Sequence, residues 1–252
     1  MHTSLRDRLH AREPLLGTFI KTPGAHAIEI LGEVGLDFVV IDAEHAPWDR
    51  ASIDMGLLAA KSQSLPALVR VAAVGDILNA LDGGAAGVMV PHVADAASAR
   101  AAAAAARYRG GSRGFSNSPR AGRYGGLGLA AHLDAGDRQA TVIAMLEDPA
   151  AVDNVDELVE VEGIDAFFLG RGDLTVALGE TSADSEVVRR AVERLSAAVV
   201  RAGKPLCAFI ARTAEIAALR PLGVSTFILS SDQGLLRQAA AAEWSAFKTC
   251  VQ

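Results

Sequence analysis

The sequence predicts an α/β protein folded as one (β/α)8 TIM barrel over residues 1–252, and three observations predict it. Short β-rich runs alternate with helical stretches eight times, the pattern of a parallel sheet with helical crossovers. The chain has 252 residues, close to the roughly 250 that such a barrel takes. No Gly-x-Gly-x-x-Gly follows the first strand, so an open dinucleotide-binding sheet lacks its main support.

The first strand is expected over Leu15 to Thr22, with a helix over Ala25 to Val34. The second, Asp37 to Glu44, has a Phe-Val-Val-Ile centre that reads as a strand buried on both faces; a helix over Arg50 to Gln63 follows. Pro66 opens the third strand, Ala67 to Val71, and a short helix spans Asp76 to Leu81. The fourth unit pairs Gly87 to Val93 with Asp95 to Arg107, and the fifth Thr141 to Glu147 with Ala150 to Val161. The last three strands are Asp165 to Leu169, Leu206 to Ala211 and Thr226 to Ser230, with helices over Ser185 to Ala202, Ala214 to Leu219 and Leu235 to Phe247. Tyr108 to Gln139, rich in Gly, Arg and Ser, interrupts this rhythm. Loops so long are usually functional or mobile: a surface excursion, a subunit contact or a cover over the site.

Half of the residues are hydrophobic, enough for a large core, and the net charge of −6 carries no polyanion-binding signature. Nucleic acid is therefore not an expected partner. No run reaches the roughly 18 apolar residues of a membrane span, and the N-terminal Met1 to Arg8 carries mixed charge instead of the apolar stretch of a secretory signal. Cys207 and Cys250 make no disulfide framework, Cys207 sits in an apolar run that reads as core, and a reducing, cytoplasmic setting is the default.

In a barrel the chemistry collects where strands end at the C-terminal rim. There the sequence places Asp42-Ala43-Glu44-His45, Arg70, His92, Glu147-Asp148, Gly170-Arg171-Gly172-Asp173 and Ser230-Ser231-Asp232. Any strand must emerge into water, so one such residue means little; the set is of complementary charge and converges on one rim. Glu147 and Asp173 end neighbouring strands, about 4.8 Å apart, so they can share one ion. Two carboxylates with other positions open suit a hard cation such as Mg2+ or Mn2+. His45 and His92 lack the spacing of a zinc site.

A Schiff-base mechanism needs a desolvated lysine in the barrel. Lys61 and Lys248 fall on helices and Lys204 precedes a strand. Lys21 alone lies near a strand end, with no cationic neighbour of the kind that makes a lysine nucleophilic. Metal activation is the better reading. Arg70 emerges from an apolar strand and must be paired or face the cavity. His45 suits a base working near neutral pH, with Asp42 orienting its ring.

The segment Gly35-Leu36-Asp37-Phe38-Val39-Val40-Ile41-Asp42-Ala43-Glu44-His45-Ala46-Pro47 resembles the hallmark of the HpcH/HpaI aldolase family. So do Leu68-Val69-Arg70-Val71, Leu81-Asp82-Gly83-Gly84-Ala85, Val90-Pro91, Arg113-Gly114 and Gly170-Arg171-Gly172-Asp173-Leu174, in register from about Leu16 to the C-terminal helix. The resemblance implies a barrel of the phosphoenolpyruvate/pyruvate type, usually a hexamer whose last helix packs on a neighbouring subunit. It implies class II aldol cleavage and formation of 4-hydroxy-2-oxo acids, from a pyruvate or hydroxypyruvate donor and an aldehyde, with Mg2+, Mn2+ or Co2+. Carried over, Glu147 and Asp173 match the metal ligands, Arg70 the group facing the keto oxygen, and His45 with Asp42 the acid/base pair. The Gly172-Asp173 main chain matches the carboxylate site, Phe209 lines the acceptor path, and Glu44 and Asp82 are expected to stand behind these groups.

The chain departs from the family pattern in places. Met145 replaces the usual Gln two residues before the metal Glu. Arg171 replaces a Pro, placing an extra cation near the donor, and Arg109-Gly110 replaces Pro-Pro, which should loosen the long loop. Phe209 takes a position usually held by an aliphatic residue. Two other functions remain open: a carbon–carbon lyase acting on a CoA thioester, whose phosphates Arg109, Arg113, Arg120 and Arg123 would meet, and a non-catalytic 2-oxo-acid-binding protein.

Overall fold

The computed structural model describes residues 4–251; Met1 to Thr3, part of the N-terminal segment read above, and Gln252 lie outside the described residues. Eight parallel strands close in chain order into a barrel. They are β1 (Leu15–Ile20), β2 (Phe38–Asp42), β3 (Ala67–Arg70), β4 (Gly87–Val90), β5 (Thr141–Leu146), β6 (Ala166–Leu169), β7 (Leu206–Ile210) and β8 (Val224–Ser231). The helices are α1 (Leu5–His10), α2 (His26–Val34), α3 (Arg50–Ser62), α4 (Ile77–Asp82), α5 (Ala96–Ala106), α6 (Leu129–Gln139), α7 (Pro149–Leu158), α8 (Arg171–Ala177), α9 (Glu186–Arg201), α10 (Ile216–Leu219) and α11 (Asp232–Cys250). The expected strands are all present, most ending a residue or more earlier than the sequence reading placed them.

Side chains alternate across a strand, and this alternation sorts the apolar runs into two cores. Phe38, Val40, Leu68, Ile143, Met145 and Phe168 fill the lumen, while Val39, Ile41, Val69 and Phe167 pack outward against the helices. Both faces are dry, so the runs are continuously apolar, as parallel strands require. The same period carries the lumen-facing series Phe38, Val40 to Asp42, Leu68 to Arg70, and Ile143, Met145 to Glu147. Each polar residue is thus the next inward-facing step above an apolar layer. Asp42 and Arg70 are direct neighbours in the β2–β3 register.

Helix starts are set by local chemistry. Asp49 and Asp95 cap α3 and α5, accepting from the main-chain N–H of Ser52 and Ser98 at 2.7 Å each. Helix α1 seals the barrel floor: its Leu5 and Leu9 join the lumen core. It is anchored by buried Asp165, whose carboxylate accepts from Arg6 (2.7 Å), Arg107 (3.1 Å) and the Val142 N–H (2.8 Å), with His10 at 3.1 Å.

The long segment between α5 and β5 is ordered by its own contacts. It contains a short 3-10 stretch, Arg120–Gly125, and α6. Asp137 accepts from the main-chain N–H groups of Tyr108 (2.7 Å) and Arg109 (3.1 Å). These bonds tie the start of the segment, at Tyr108 and Arg109, to α6. Helix α11 buries none of its residues, and Leu236, Trp244 and Phe247 stand exposed on it. No helix among the described residues is long and apolar enough to cross a membrane.

Candidate active site

The rim residues converge on a cavity of about 520 Å3 at the barrel mouth, lined by Phe19, Lys21, His45, Arg70, Gly172, Asp173 and Phe209 among others. Asp42 lies at its base, fully buried. Its carboxylate accepts from Arg70 Nε (2.9 Å) and Nη2 (2.6 Å), and Lys21 Nζ stands 3.2 Å away. Burial would push the Asp42 carboxyl up, but the hydrogen bonds and charge of Arg70, with the His45 N–H and Lys21, outweigh it and hold it below the usual value. The bonds to Asp42 use Nε and Nη2 of Arg70, and its guanidinium lies 4.7 Å above the Phe19 ring.

The expected ring contact between Asp42 and His45 is corrected. Asp42 accepts the His45 main-chain N–H at 3.1 Å. Three residues apart across a turn, the carboxylate reaches back to the backbone, while the half-exposed ring stands outside it. The ring's acidic neighbour is Glu44, 3.6 Å from Nε2. Glu44 also lies 3.4 Å from Arg70 Nε and 3.9 Å from His92 Nε2, so it sits among the site's cations, as expected for a supporting residue.

Glu147 is 2 % exposed. Its Oε1 accepts the His92 main-chain N–H at 2.8 Å, and its Oε2 has no hydrogen-bond partner among the described residues. Burial pushes its carboxyl up to about 7; the nearby charges of Asp173 and Glu44 add to this, against the opposing effect of His92. A Cβ at position 170 would fall 2.6 Å from Glu147 Oε2, so only glycine leaves room there. A buried carboxylate oxygen without a donor, with a second carboxylate close by, fits a hard divalent cation. Among the described residues no group of three or more His, Cys, Asp or Glu forms a closed metal cage. A cation here would therefore keep positions for water and substrate. Asp173 sits in the first turn of α8, and a Cβ at Gly172 would meet open space, so the main chain there is accessible to a ligand.

Two further expectations are corrected and one is refined. Arg171 lines the mouth as expected, but its charge there is offset, because it donates to Glu215 (2.7 Å) and to the Phe209 carbonyl (3.1 Å). Asp82 does not stand behind the site. It accepts from buried Arg113 at 2.9 Å and lines a separate cavity of about 720 Å3 outside the barrel, with Asp54, Arg120 and Tyr124. The long segment lines that cavity and not the mouth of its own barrel. Phe209 does line the mouth, 6.4 Å from the Phe19 ring. Met145 lies beneath it in the lumen core and brings no polar contact. The sequence put His92 at the rim without a role. Its main chain holds Glu147, and its ring lies 3.2 Å from Asp148; its left-handed conformation (φ 54°) has no signature in the sequence.

The sequence profile described as HpcH/HpaI aldolase/citrate lyase matches residues 15–239. The chain is 31% identical over 244 residues to a 5-keto-4-deoxy-D-glucarate aldolase of Klebsiella pneumoniae, covering 95% of this chain and 94% of that one. Its fold matches a HpcH/HpaI aldolase/citrate lyase family protein from Burkholderia cenocepacia with a TM-score of 0.91, at 29% identity and over 97% and 98% of the two chains. It also matches a citrate synthase, SbnG, with a TM-score of 0.87 at 31% identity over 98% of each chain. This chain therefore belongs to the HpcH/HpaI aldolase/citrate lyase family and is an enzyme of the carbon–carbon lyase class.

Proposed function

We propose that this enzyme is a class II aldolase that cleaves or forms 4-hydroxy-2-oxo acids, with pyruvate or hydroxypyruvate as enolate donor and an aldehyde as acceptor. The observation that carries this reading is Glu147: a buried carboxylate with an unpartnered oxygen, near Asp173 and Glu44. Glu147 and Asp173 would hold Mg2+, Mn2+ or Co2+. When bound, that cation supplies Lewis-acid polarisation of the donor's keto group.

The chain's own residues do the rest. The main chain of Gly172 and Asp173 receives the donor carboxylate. Arg70, locked in orientation by Asp42, faces the donor oxygen and stabilises the negative charge that grows there as the enolate forms, from a preorganised position. His45 takes the proton from C3 and returns one to the new alkoxide after the enolate attacks the aldehyde; cleavage runs in reverse. Glu44 stands beside both the His45 ring and Arg70, and Phe19 and Phe209 wall the acceptor path.

The CoA-thioester reading needs arginines open to phosphates. Arg109 pairs with Asp134, Arg113 with Asp82 and Arg120 with Asp54, which leaves little of that basic surface. We further infer a homo-oligomer, a hexamer, in which α11 lays its exposed apolar residues on a neighbouring subunit.

Exchange of the pyruvate C3 protons in D2O, followed by NMR, tests the reading. EDTA should abolish exchange and Mn2+, Co2+ or Mg2+ restore it. Full exchange in EDTA, with borohydride trapping pyruvate on Lys21, would replace it by a Schiff-base mechanism.

A further inference from the structure

Asp148 stands at the N-cap of α7, yet its side chain does not cap that helix. Asp49 and Asp95, the same residue type at the same place on α3 and α5, each accept from the main-chain N–H three residues on, at 2.7 Å. A helix N-terminus is a favourable partner for a carboxylate, so one turned away from it is held elsewhere. Here the holder is the His92 ring, whose Nδ1 lies 3.2 Å and 3.4 Å from the two Asp148 oxygens.

The backbone of His92 is the second unusual feature. Its φ of 54° lies in the left-handed region, where His, Asn and Asp occur far more readily than most residues and a β-branched side chain is an outlier. In this conformation the N–H of residue 92 meets Glu147 Oε1 at 2.8 Å. The next residue returns to the sheet pattern, the Val93 N–H donating to the Met145 carbonyl at 3.3 Å. The chain leaving β4 is thus stitched to the end of β5 at Met145, Glu147 and Asp148. With Oε1 occupied by a donor, the buried Oε2, which has no partner among the described residues, is the oxygen left for a cation.

We propose that His92 is a positioning residue for the metal site. Its left-handed main chain fixes which oxygen of Glu147 is offered to the cation, and Asp148, drawn off its own helix, holds the ring and with it that conformation. This rests on the metal-dependent reading given above. His92 acts through Glu147, so its effect falls on metal affinity.

Calorimetric titration of the metal-free enzyme with Mn2+ reads this affinity without any turnover. His92→Val, which disfavours the left-handed conformation, should weaken Mn2+ binding by about 10–100-fold, the range for a disturbed support of a metal ligand. His92→Asn tolerates that conformation and keeps a side-chain donor for Asp148, so it should stay within about threefold of the wild type. At position 148 the charge can be separated from the contact. Asp148→Asn removes the charge and keeps an acceptor for the ring. Asp148→Ser is too short to reach the ring but caps a helix well. It should melt no lower than the wild type and bind Mn2+ several-fold more weakly than Asp148→Asn, a loss of affinity without loss of stability that a merely structural brace would not give. A His92→Val enzyme that binds Mn2+ as tightly as the wild type overturns the assignment. So does a His92→Asn enzyme as weak as His92→Val, which makes the imidazole itself the determinant, or an equal loss in the two variants at 148, which makes charge the determinant. If His92→Val does not fold, the pair at 148 decides. Glu147→Gln separates the two levels. A wild type that binds no Mn2+, or a Glu147→Gln enzyme that binds it equally well, removes the metal reading and the assignment with it; binding that needs Glu147 but is unaltered in His92→Val removes the His92 assignment alone.

Discussion

Asp42 and Arg70 meet side-on, Nε to Oδ1 at 2.9 Å and Nη2 to Oδ2 at 2.6 Å, with both side chains buried. A guanidinium held this way is oriented before any substrate arrives, at the cost of burying two charges that need each other.

Arg70→Ala should therefore harm the fold as well as the chemistry. Leaving a buried carboxylate with one partner of its pair missing typically costs about 3–5 kcal/mol, here reduced by Lys21. Thermal denaturation should show a clear drop in melting temperature. The double variant Asp42→Ala, Arg70→Ala should recover part of that loss, while pyruvate exchange stays down by about 100-fold or more in both. Recovery of exchange in the double variant would remove Arg70 from the chemistry.

Glu147 gives a pH dependence with a definite sign. Its carboxyl stands at about 7 in the folded chain against 4.5 when unperturbed. Between those values the metal-free native state binds the proton more tightly than the unfolded state, so this group's contribution to stability declines as pH rises through the window. The full effect is on the order of 3 kcal/mol. Metal-free Glu147→Gln should then melt above the wild type at pH 8 and near it at pH 5. Mn2+ should raise the melting temperature of the wild type and not of the variant. A wild type that is no less stable than the variant at pH 8 without metal would contradict the buried, unpartnered carboxylate.

Gly170→Ala probes the same carboxylate from outside. The added Cβ would lie 2.4 Å from Glu147 Cβ and 2.6 Å from Oε2, while φ −82° itself suits any residue. The backbone should tolerate the change and the carboxylate should shift. Mn2+ affinity, measured by calorimetry, should fall by about 10–100-fold, the range seen when groups supporting a metal ligand are disturbed. Unchanged affinity would show that Glu147 is not held by this contact.

The sequence carried the strands and most of the rim, for one reason. A strand dry on both faces is a continuous apolar run, so a charge that ends it, such as Arg70 or Glu147, is conspicuous. What stayed hidden depends on three-dimensional choices. Whether Asp42 meets the His45 ring or its N–H is decided by one turn. The Asp82–Arg113 and Arg171–Glu215 pairs join residues 31 and 44 positions apart. Helix α8 was missed because Gly-Arg-Gly at its start reads as loop, and α6 because it lies in a Gly- and Arg-rich stretch. Helix α1 lies before the first strand, where the repeating pattern gives no guidance.

Helix α11 supplies the test of assembly. Its Leu236, Trp244 and Phe247 stand exposed, Trp244 and Phe247 stacked on each other at 5.6 Å along the same helix, and such surfaces mark interfaces. Trp244→Asp with Phe247→Asp should shift sedimentation from a hexamer to smaller species. A wild type that sediments as a monomer would refute the assembly.

The sealed floor has a kinetic consequence. With Leu5 and Leu9 filling the bottom of the lumen and Asp165 tying α1 across it, the vessel has one door. Whatever sits deepest must leave last. On the proposed aldolase reading, the aldehyde half, nearer the opening, should depart before the oxo-acid half in the cleavage direction, and high aldehyde concentrations should block the way out. Product inhibition patterns should therefore reveal an ordered exit, dictated by a leucine plug at the end of the barrel remote from the chemistry.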